Sequence, residues 1–269
     1  MAFSVQLMPF SSTAPPRCPA LRRRRPPPSH RRNQTGIVCT AERRELFNRI
    51  ALVYDNLNDL LSLGQHRIWK KMCVSWSGVK KGDIVLDMCC GSGDLAFLLS
   101  QKVGPNGKVS ALDFSRNQLF IASTRQDLFW KACYENIKWI EGDALNLPFE
   151  DGYFNAITVG YGLRNLIDRR KALHEIFRVL KPGSKVSILD FNKSTSSLTT
   201  LCQGWALDNV VVPAANVYGL SEEYKYLKSS IAEFLTGGEL EKLAREVGFS
   251  DARHYEVAAG LMGNLVATR

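Results

Sequence analysis

The sequence lacks the features that mark membrane-spanning, zinc-binding and disulfide-rich proteins. Its longest apolar stretch after residue 40 lies near residues 210–217 and is far shorter than the roughly 20 residues that a transmembrane helix needs. Its seven cysteines include no C-x-x-C pair, so neither a zinc site nor a disulfide framework is indicated. We therefore expect a protein from a reducing compartment that is soluble or peripherally lipid-associated, with no metal site.

Acidic residues and lysines are absent from the first 40 residues, which carry seven arginines and seven of the eleven prolines. Taking these seven charges from the net charge of +9 leaves about +2 for residues 41–269, so no nucleic-acid partner is predicted. Acid-free, arginine- and serine-containing N-termini are typical of organelle transit peptides. We expect residues 1–40 to be a chloroplast transit peptide; an uncleaved basic tail is the alternative.

From Gly82 onward, strand-like and helix-like segments alternate, which predicts a largely parallel sheet covered by helices on both faces. Two final strand-like segments, near residues 253–260 and 264–269, predict an antiparallel strand at the edge. The expected fold is α/β and Rossmann-like, with a seven-stranded, mostly parallel sheet. The expected divisions of the chain after the transit peptide are an N-terminal helical arm over residues 41–76 and a catalytic domain over 77–269, with a substrate lid inserted at 197–235.

Helix ends are marked by specific residues. Asp168 is a predicted N-cap for the helix in "DRRKALHEIFRVLKPG". Thr236 and Glu239 form a predicted capping box, and Gly248 is expected to end the same helix.

The stretch "VLDMCCGSGDLAFLLS" (85–100) predicts a strand, a glycine turn containing Gly91 and Gly93, and a helix. A nicotinamide or flavin dinucleotide is one interpretation, because the turn fits G-x-G-x-x-A. However, Asp87 and Asp94 bracket the turn and would repel a pyrophosphate, whereas they would attract the cationic groups of S-adenosylmethionine. The charge pattern therefore favours S-adenosylmethionine as the cofactor.

Further cofactor contacts are expected where the following strands end, because ligands of open α/β sheets bind at the carboxyl ends of the strands. Asp113, 22 positions after Gly91, is expected to bind the ribose hydroxyls, with Phe114 beside it. Asp143 and Ala144 are expected at the adenine edge.

"YDNLNDLLSLGQHRIW" (54–69) resembles a signature of the ubiquinone/menaquinone C-methyltransferases, and "VLDMCCGSGDLAF", "YGLRN" and "RVLKPG" fall at that family's spacings. The resemblance runs from about Arg43 to the C-terminus and implies a class I S-adenosylmethionine-dependent methyltransferase that releases S-adenosylhomocysteine. In this comparison Ser92 replaces a threonine but keeps its hydroxyl. Gly160 stands at a cofactor-binding position where bacterial members often carry serine.

The resemblance, with the plastid-type leader, implies a reduced prenyl naphthoquinone as the substrate. A quinone ring carbon is electrophilic and does not attack a methyl sulfonium, so a quinone reductase must first supply the quinol. Arg164 in "YGLRN" is the expected partner of the developing phenolate, and Asn165 is expected to orient a water or the ring oxygen. His66 is a candidate general base.

Two other functions are alternatives. One is C-methylation of a benzoquinol precursor of ubiquinone in mitochondria. The other is a non-catalytic subunit that binds S-adenosylmethionine. An uncompensated arginine facing the pocket would argue against this second alternative, because a non-catalytic protein would have no need for it. The sequence leaves a homodimer and peripheral lipid contact open.

Overall fold

The computed structural model describes residues 64–129, 132–194 and 221–269, with the isolated positions 62, 199, 201, 204, 205 and 209. The predicted transit peptide, the predicted arm before residue 62 and most of the predicted lid before residue 221 lie outside the described residues.

The described residues form helices and strands in the alternating order that the sequence predicts, with short 3-10 turns at 132–136, 163–165 and 258–260. The main elements are α1 (His66–Trp76), β1 (Ile84–Met88), α2 (Asp94–Val103), β2 (Lys108–Asp113), α3 (Arg116–Phe129), β3 (Ile137–Glu141), β4 (Phe154–Gly160), α4 (Arg169–Val179), β5 (Leu180–Phe191), α5 (Ser221–Ala232), α6 (Gly237–Val247), β6 (Asp251–Val257) and β7 (Met262–Thr268).

The strands form one seven-stranded sheet in the order β3-β2-β1-β4-β5-β7-β6. The first five strands in that order are parallel, and the antiparallel strand is β7, which lies between β5 and β6 near one edge. The order reverses at β1, which lies between β2 and β4. Ligand sites of open sheets form beside such a reversal, at the carboxyl ends of the strands.

Two buried clusters cover the faces of the sheet. One joins α4 and α6 to β4 and β5 through residues such as Leu173, Leu240 and Ile157. The other joins α1 and α2 to β1 and β2 through Cys73, Leu99 and Val85. The sheet is therefore shielded from water on both sides, as the near-continuous apolar runs of its central strands predict.

Helix α1 lies over the sheet and points its N-terminal end toward the carboxyl edge of the parallel strands. The Cys73 thiol donates to the backbone oxygen of Ser187 in β5, at 3.5 Å. One turn earlier, the Lys70 ammonium lies 5.8 Å from the ring centroid of Tyr161, just after β4. The first turn of α1, which contains His66, thus lies at the edge where the strands end.

The predicted helix ends are confirmed. Asp168 is the N-cap of α4 and accepts a hydrogen bond from the Lys171 N–H, at 2.9 Å. Thr236 and Glu239 make both bonds of a capping box, and Gly248 caps α6 with φ of 123°.

Candidate functional site

The turn after β1 has the backbone shape that its glycines make possible. Gly91 and Gly93 have φ of 54° and 92°, in the left-handed region where a side chain is disfavoured. A Cβ on Gly93 would also lie 2.6 Å from the ring of Trp139. Gly93 caps α2, so the turn presents the N-terminal end of that helix at the carboxyl edge of the sheet.

Asp87 is the buried charge beside this turn. One carboxylate oxygen accepts from the Thr158 hydroxyl on the neighbouring strand, at 2.9 Å. The other oxygen, Oδ2, is buried and has no hydrogen-bond partner among the residues that the structure describes. Burial raises the pKa of Asp87 to about 7, although the bond from Thr158 opposes that shift. A cation bound here would meet an unsatisfied acceptor, so the site fits the ammonium group of S-adenosylmethionine.

Asp94 departs from the expectation that it faces the charge of the cofactor. Its carboxylate accepts from Lys70 at 2.5 Å and from Arg125 at 2.7 Å. Burial would raise the pKa of Asp94, but attraction to these two cations outweighs it and lowers the pKa to about 2. Asp94 therefore fastens α1 and α3 to the glycine turn, and its charge is balanced by these two cations.

Asp113 links the end of β2 to the same turn. Its two oxygens accept from the Gly91 and Ser115 N–H groups, each at 2.9 Å. Burial raises the pKa of Asp113 despite these bonds. Each carboxylate oxygen can accept a second hydrogen bond, so this fixed carboxylate suits a diol such as a ribose.

The other predicted cofactor residues lie around this turn and along the same edge. Ser92 is buried, and its backbone oxygen accepts from Arg125 at 2.8 Å. Phe114 is half-buried directly after Asp113. Asp143 is exposed and accepts from the Leu145 N–H at 2.9 Å, and Ala144 beside it is buried. At Gly160 a Cβ would lie 2.7 Å from Leu95 Cδ1, so Leu95 occupies the space that a serine would need.

Arg164 is not an uncompensated arginine, contrary to what its sequence context predicts. Its guanidinium is buried and donates from Nη1 to Asp190 at 2.7 Å and to the Tyr161 backbone oxygen at 2.9 Å. The Arg164 N–H also donates to Asp190, at 3.1 Å, and the guanidinium lies 5.1 Å from the ring centroid of Phe191. A buried carboxylate at the end of β5 therefore balances this charge and fixes its direction.

Asn165 and His66 lie at the same edge. The Asn165 amide nitrogen donates to the Tyr161 backbone oxygen at 2.9 Å. His66 is buried in the first turn of α1, where its backbone N–H donates to the Ser62 hydroxyl at 3.2 Å. It lies four residues before Lys70, on the same face of α1. The role of His66 as a base stays a prediction.

The two halves of the site adjoin because β1 and β4 are neighbours. Cys89 follows β1 and Tyr161 follows β4, and both have φ near 60°, at 58° and 59°. Such strained backbone is concentrated at functional sites. A Cβ on Gly162 would lie 2.5 Å from Cys89 Cβ, so the two turns touch.

Sequence reasoning missed several residues that shape the site. Lys70, Tyr226 and Ser230 contact Asp94, Asn165 and Arg164 from elements distant in sequence. No local sequence pattern marks these residues. They are recognised only in the structure, where their polar side chains are buried or half-buried against the site.

Within the described ranges, no three His, Cys, Asp or Glu side chains form a group that could hold a metal ion. None of the described helices is long and apolar enough to cross a bilayer.

The sheet order, the glycine turn and the acids at the ends of β1 and β2 define a class I Rossmann-like methyltransferase. A SAM-dependent methyltransferase from Aquifex aeolicus shares this fold, with a TM-score of 0.58 and 19% identity over 79% of this chain and 96% of that one. The ubiE/COQ5 methyltransferase family model matches residues 38–269, and the chain belongs to that family.

Two relatives are similar over most of their length. The chain is 67% identical to the chloroplastic 2-phytyl-1,4-beta-naphthoquinone methyltransferase of Arabidopsis thaliana, over 90% of this chain and 92% of the relative. It is 52% identical to the 2-phytyl-1,4-naphthoquinone methyltransferase of a Synechocystis species, over 84% of this chain and 94% of the relative.

Proposed function

We propose that this chain transfers a methyl group from S-adenosylmethionine to a ring carbon of a reduced phytyl-naphthoquinone in the plastid, the last step to phylloquinone. The observation that carries the proposal is the contact between two turns: the one beside the unsatisfied Asp87 oxygen, and the one holding Arg164 and Asn165. A methyl donor and a phenolic acceptor must lie side by side for such a transfer. The names of the plant and cyanobacterial relatives support the ring and tail.

The cofactor supplies an electrophilic methyl group, and the protein must hold and polarise the acceptor. Loss of a quinol hydroxyl proton would place electron density on the ortho carbon, which would form the new bond as the sulfur–methyl bond breaks and S-adenosylhomocysteine is released. The ring hydrogen would then leave as a proton, to water or a base in the site, and aromaticity would be restored. We assign Asp87, Gly91, Ser92, Gly93, Asp113, Phe114, Asp143, Ala144 and Gly160 to cofactor binding.

Arg164 would donate a hydrogen bond to the ring oxygen as its negative charge develops. The guanidinium stays protonated, so it stabilises charge and does not accept the proton. Asp190 holds it in one direction before the substrate arrives, which lowers the cost of reorganisation at the moment of reaction. Asn165 would bind the same oxygen or a water on it, and His66 is the candidate base.

A lipid surface would supply the substrate, which carries a long isoprenoid tail. Exposed apolar side chains stand at the carboxyl edge of the sheet: Ile68 in the first turn of α1 is 59% exposed, Ile167 after the Asn165 turn 50%, and Leu261 at the β6–β7 connection 38%. We define these three as the apolar rim. A quinone reductase would act before this enzyme, because the ring must be reduced to become nucleophilic.

The deciding experiment incubates the protein with labelled S-adenosylmethionine and one of three additions: reduced phytyl-naphthoquinone, a reduced prenyl-benzoquinone, or no quinol. We expect mass spectrometry to find one added methyl on the naphthoquinol ring. Label on the benzoquinol alone would overturn the proposed substrate. Tight cofactor binding without product on either ring would instead favour the non-catalytic alternative. Because Arg164 is paired with Asp190, an unbalanced arginine is not an argument against that alternative.

A further inference from the structure

Helix α5 contacts the Arg164–Asn165 turn through two side chains one turn apart. The Ser230 hydroxyl accepts from Arg164 Nε at 3.3 Å, and the Tyr226 hydroxyl donates to Asn165 Oδ1 at 3.1 Å. Residues four apart lie on the same face of a helix, so both contacts come from one face of α5.

The two contacts fix different atoms of the turn. Ser230 donates its own proton to the Leu227 backbone oxygen at 2.9 Å, which leaves a lone pair directed at the guanidinium. The Asn165 amide is held at both ends, because its nitrogen donates to the Tyr161 backbone oxygen while its oxygen accepts from Tyr226. A flipped amide would place its oxygen against the Tyr161 carbonyl oxygen, two acceptors with no proton between them.

We infer that Tyr226 is a positioning residue for methyl transfer, acting through Asn165. This inference rests on the proposed function, in which Asn165 binds the ring oxygen or its water. Without the phenol, the Asn165 amide oxygen loses the donor that fixes its direction, and the amide samples directions that do not meet the ring oxygen. Small errors of position in a reacting pair reduce the rate of the chemical step far more than they reduce binding.

The test is Tyr226→Phe in the otherwise unchanged protein, with Tyr153→Phe as the matched control. Tyr153 directly precedes β4, at the opposite edge of the sheet. We expect kcat to fall by about tenfold or more in Tyr226→Phe. The KM for the quinol, the Kd for S-adenosylmethionine and the melting temperature should stay close to those of the parent. Tyr153→Phe should leave all four unchanged.

A double-mutant cycle separates positioning from a general structural role. If Tyr226 acts through Asn165, the double variant Tyr226→Phe/Asn165→Ala should be no slower than Asn165→Ala alone. Unchanged kcat in Tyr226→Phe, or losses that multiply in the double variant, would overturn the inference.

Failure of the proposed substrate is distinguishable from failure of this inference. The cycle applies to whichever quinol is methylated, so a benzoquinol product would change the substrate and leave the test of Tyr226 intact. If neither ring is methylated, the NMR signals of the Asn165 side-chain amide decide. A shift in Tyr226→Phe but not in Tyr153→Phe would support the contact, and equal spectra would overturn it.

Discussion

At the scale of single residues, Asp87 is a fully buried carboxylate. Its carboxylate accepts from the Thr158 hydroxyl, its second oxygen has no hydrogen-bond partner in the described part of the chain, and burial raises its pKa to about 7. A bound ammonium would favour the ionised form, so cofactor binding and loss of this proton are linked.

We therefore expect the affinity for S-adenosylhomocysteine to increase with pH up to about 7 and then level off. Below that value the carboxyl is neutral, and binding must first remove its proton at a cost of about tenfold in affinity per pH unit. Calorimetry from about pH 5.5 to 8 measures the slope. Asp87→Asn should bind weakly with no slope in this range, and a flat profile in the parent would contradict the assignment.

The same shift has a consequence for folding in the absence of cofactor. Between the ordinary aspartate pKa of about 4 and the folded value of about 7, the folded chain binds the proton more tightly than the unfolded chain does. This contribution to the free energy of unfolding therefore decreases as pH rises through that window. Bound cofactor should offset the decrease.

Asp190 provides a second prediction at the same scale. Asp190→Asn leaves the buried Arg164 charge without its counter-ion, which should lower the free energy of unfolding by about 3 kcal/mol. Urea denaturation measures it. The control is Asp151→Asn, since Asp151 pairs with Arg178 at 2.8 Å but its side chain is 74% exposed. That change should cost less than about 1 kcal/mol, and equal losses would contradict the burial argument.

At the scale of elements, α1 is fastened to the glycine turn through Lys70 and Asp94. Lys70 is buried, whereas its neighbour Lys71 is exposed. Lys70 also lies over the Tyr161 ring, so it joins the turns after β1 and β4.

We expect Lys70→Met to lower the free energy of unfolding by about 1 to 2 kcal/mol, between the values for exposed and fully buried pairs, because Arg125 remains beside Asp94. The affinity for S-adenosylmethionine should fall several-fold, since the turn loses one of its supports. Calorimetry and urea denaturation of Lys70→Met and Lys71→Met measure both. Similar losses in the two variants would mean that the charge pair does not support the turn.

Sequence patterns predict the elements well because each follows from local chemistry. The Asp168 cap, the Thr236–Glu239 box and the left-handed glycines all depend on residues a few positions apart. The start of β5 does not follow from local chemistry: the strand begins at Leu180, although Pro182 and Gly183 are residues that usually interrupt a strand. Leu180 pairs with Phe154, and the pairing then shifts register, so that Ala156 pairs with Lys185. The proline and glycine between Leu180 and Lys185 hide this first pair from a prediction based on sequence.

The polar contacts of the site were beyond such reasoning. Lys70 and Asp94 are 24 positions apart, Arg164 and Asp190 are 26 apart, and Asn165 and Tyr226 are 61 apart. Each pair joins two elements whose relative placement depends on the packing of the entire sheet. The residue types at the strand ends are therefore predictable, but their partners are not.

At the scale of the whole molecule, the carboxyl edge of the sheet combines the site with the apolar rim of Ile68, Ile167 and Leu261. Helix α3 runs away from this edge, so the exposed Leu128 in its last turn lies toward the opposite edge. Lipid binding through the apolar rim can therefore be compared with lipid binding through Leu128, at the opposite edge of the same protein.

We expect the protein to float with vesicles of neutral plastid lipids, and the double variant Ile167→Asp/Leu261→Asp to reduce its partition coefficient by about tenfold or more, since two apolar side chains no longer insert. Leu128→Asp should float like the parent. Recovery of all the parent protein in the soluble fraction, or an equal loss in Leu128→Asp, would contradict lipid docking through the rim.

The close approach of Gly162 to Cys89 also bears on attempts to redesign this enzyme. A methyl group on Gly162 would lie 2.5 Å from Cys89 Cβ, so a bulkier residue at position 162 would displace both the turn after β4 and the turn after β1. Variants designed to accept a different ring should therefore keep Gly162 and Cys89 and change side chains of α5, the helix that carries Tyr226 and Ser230.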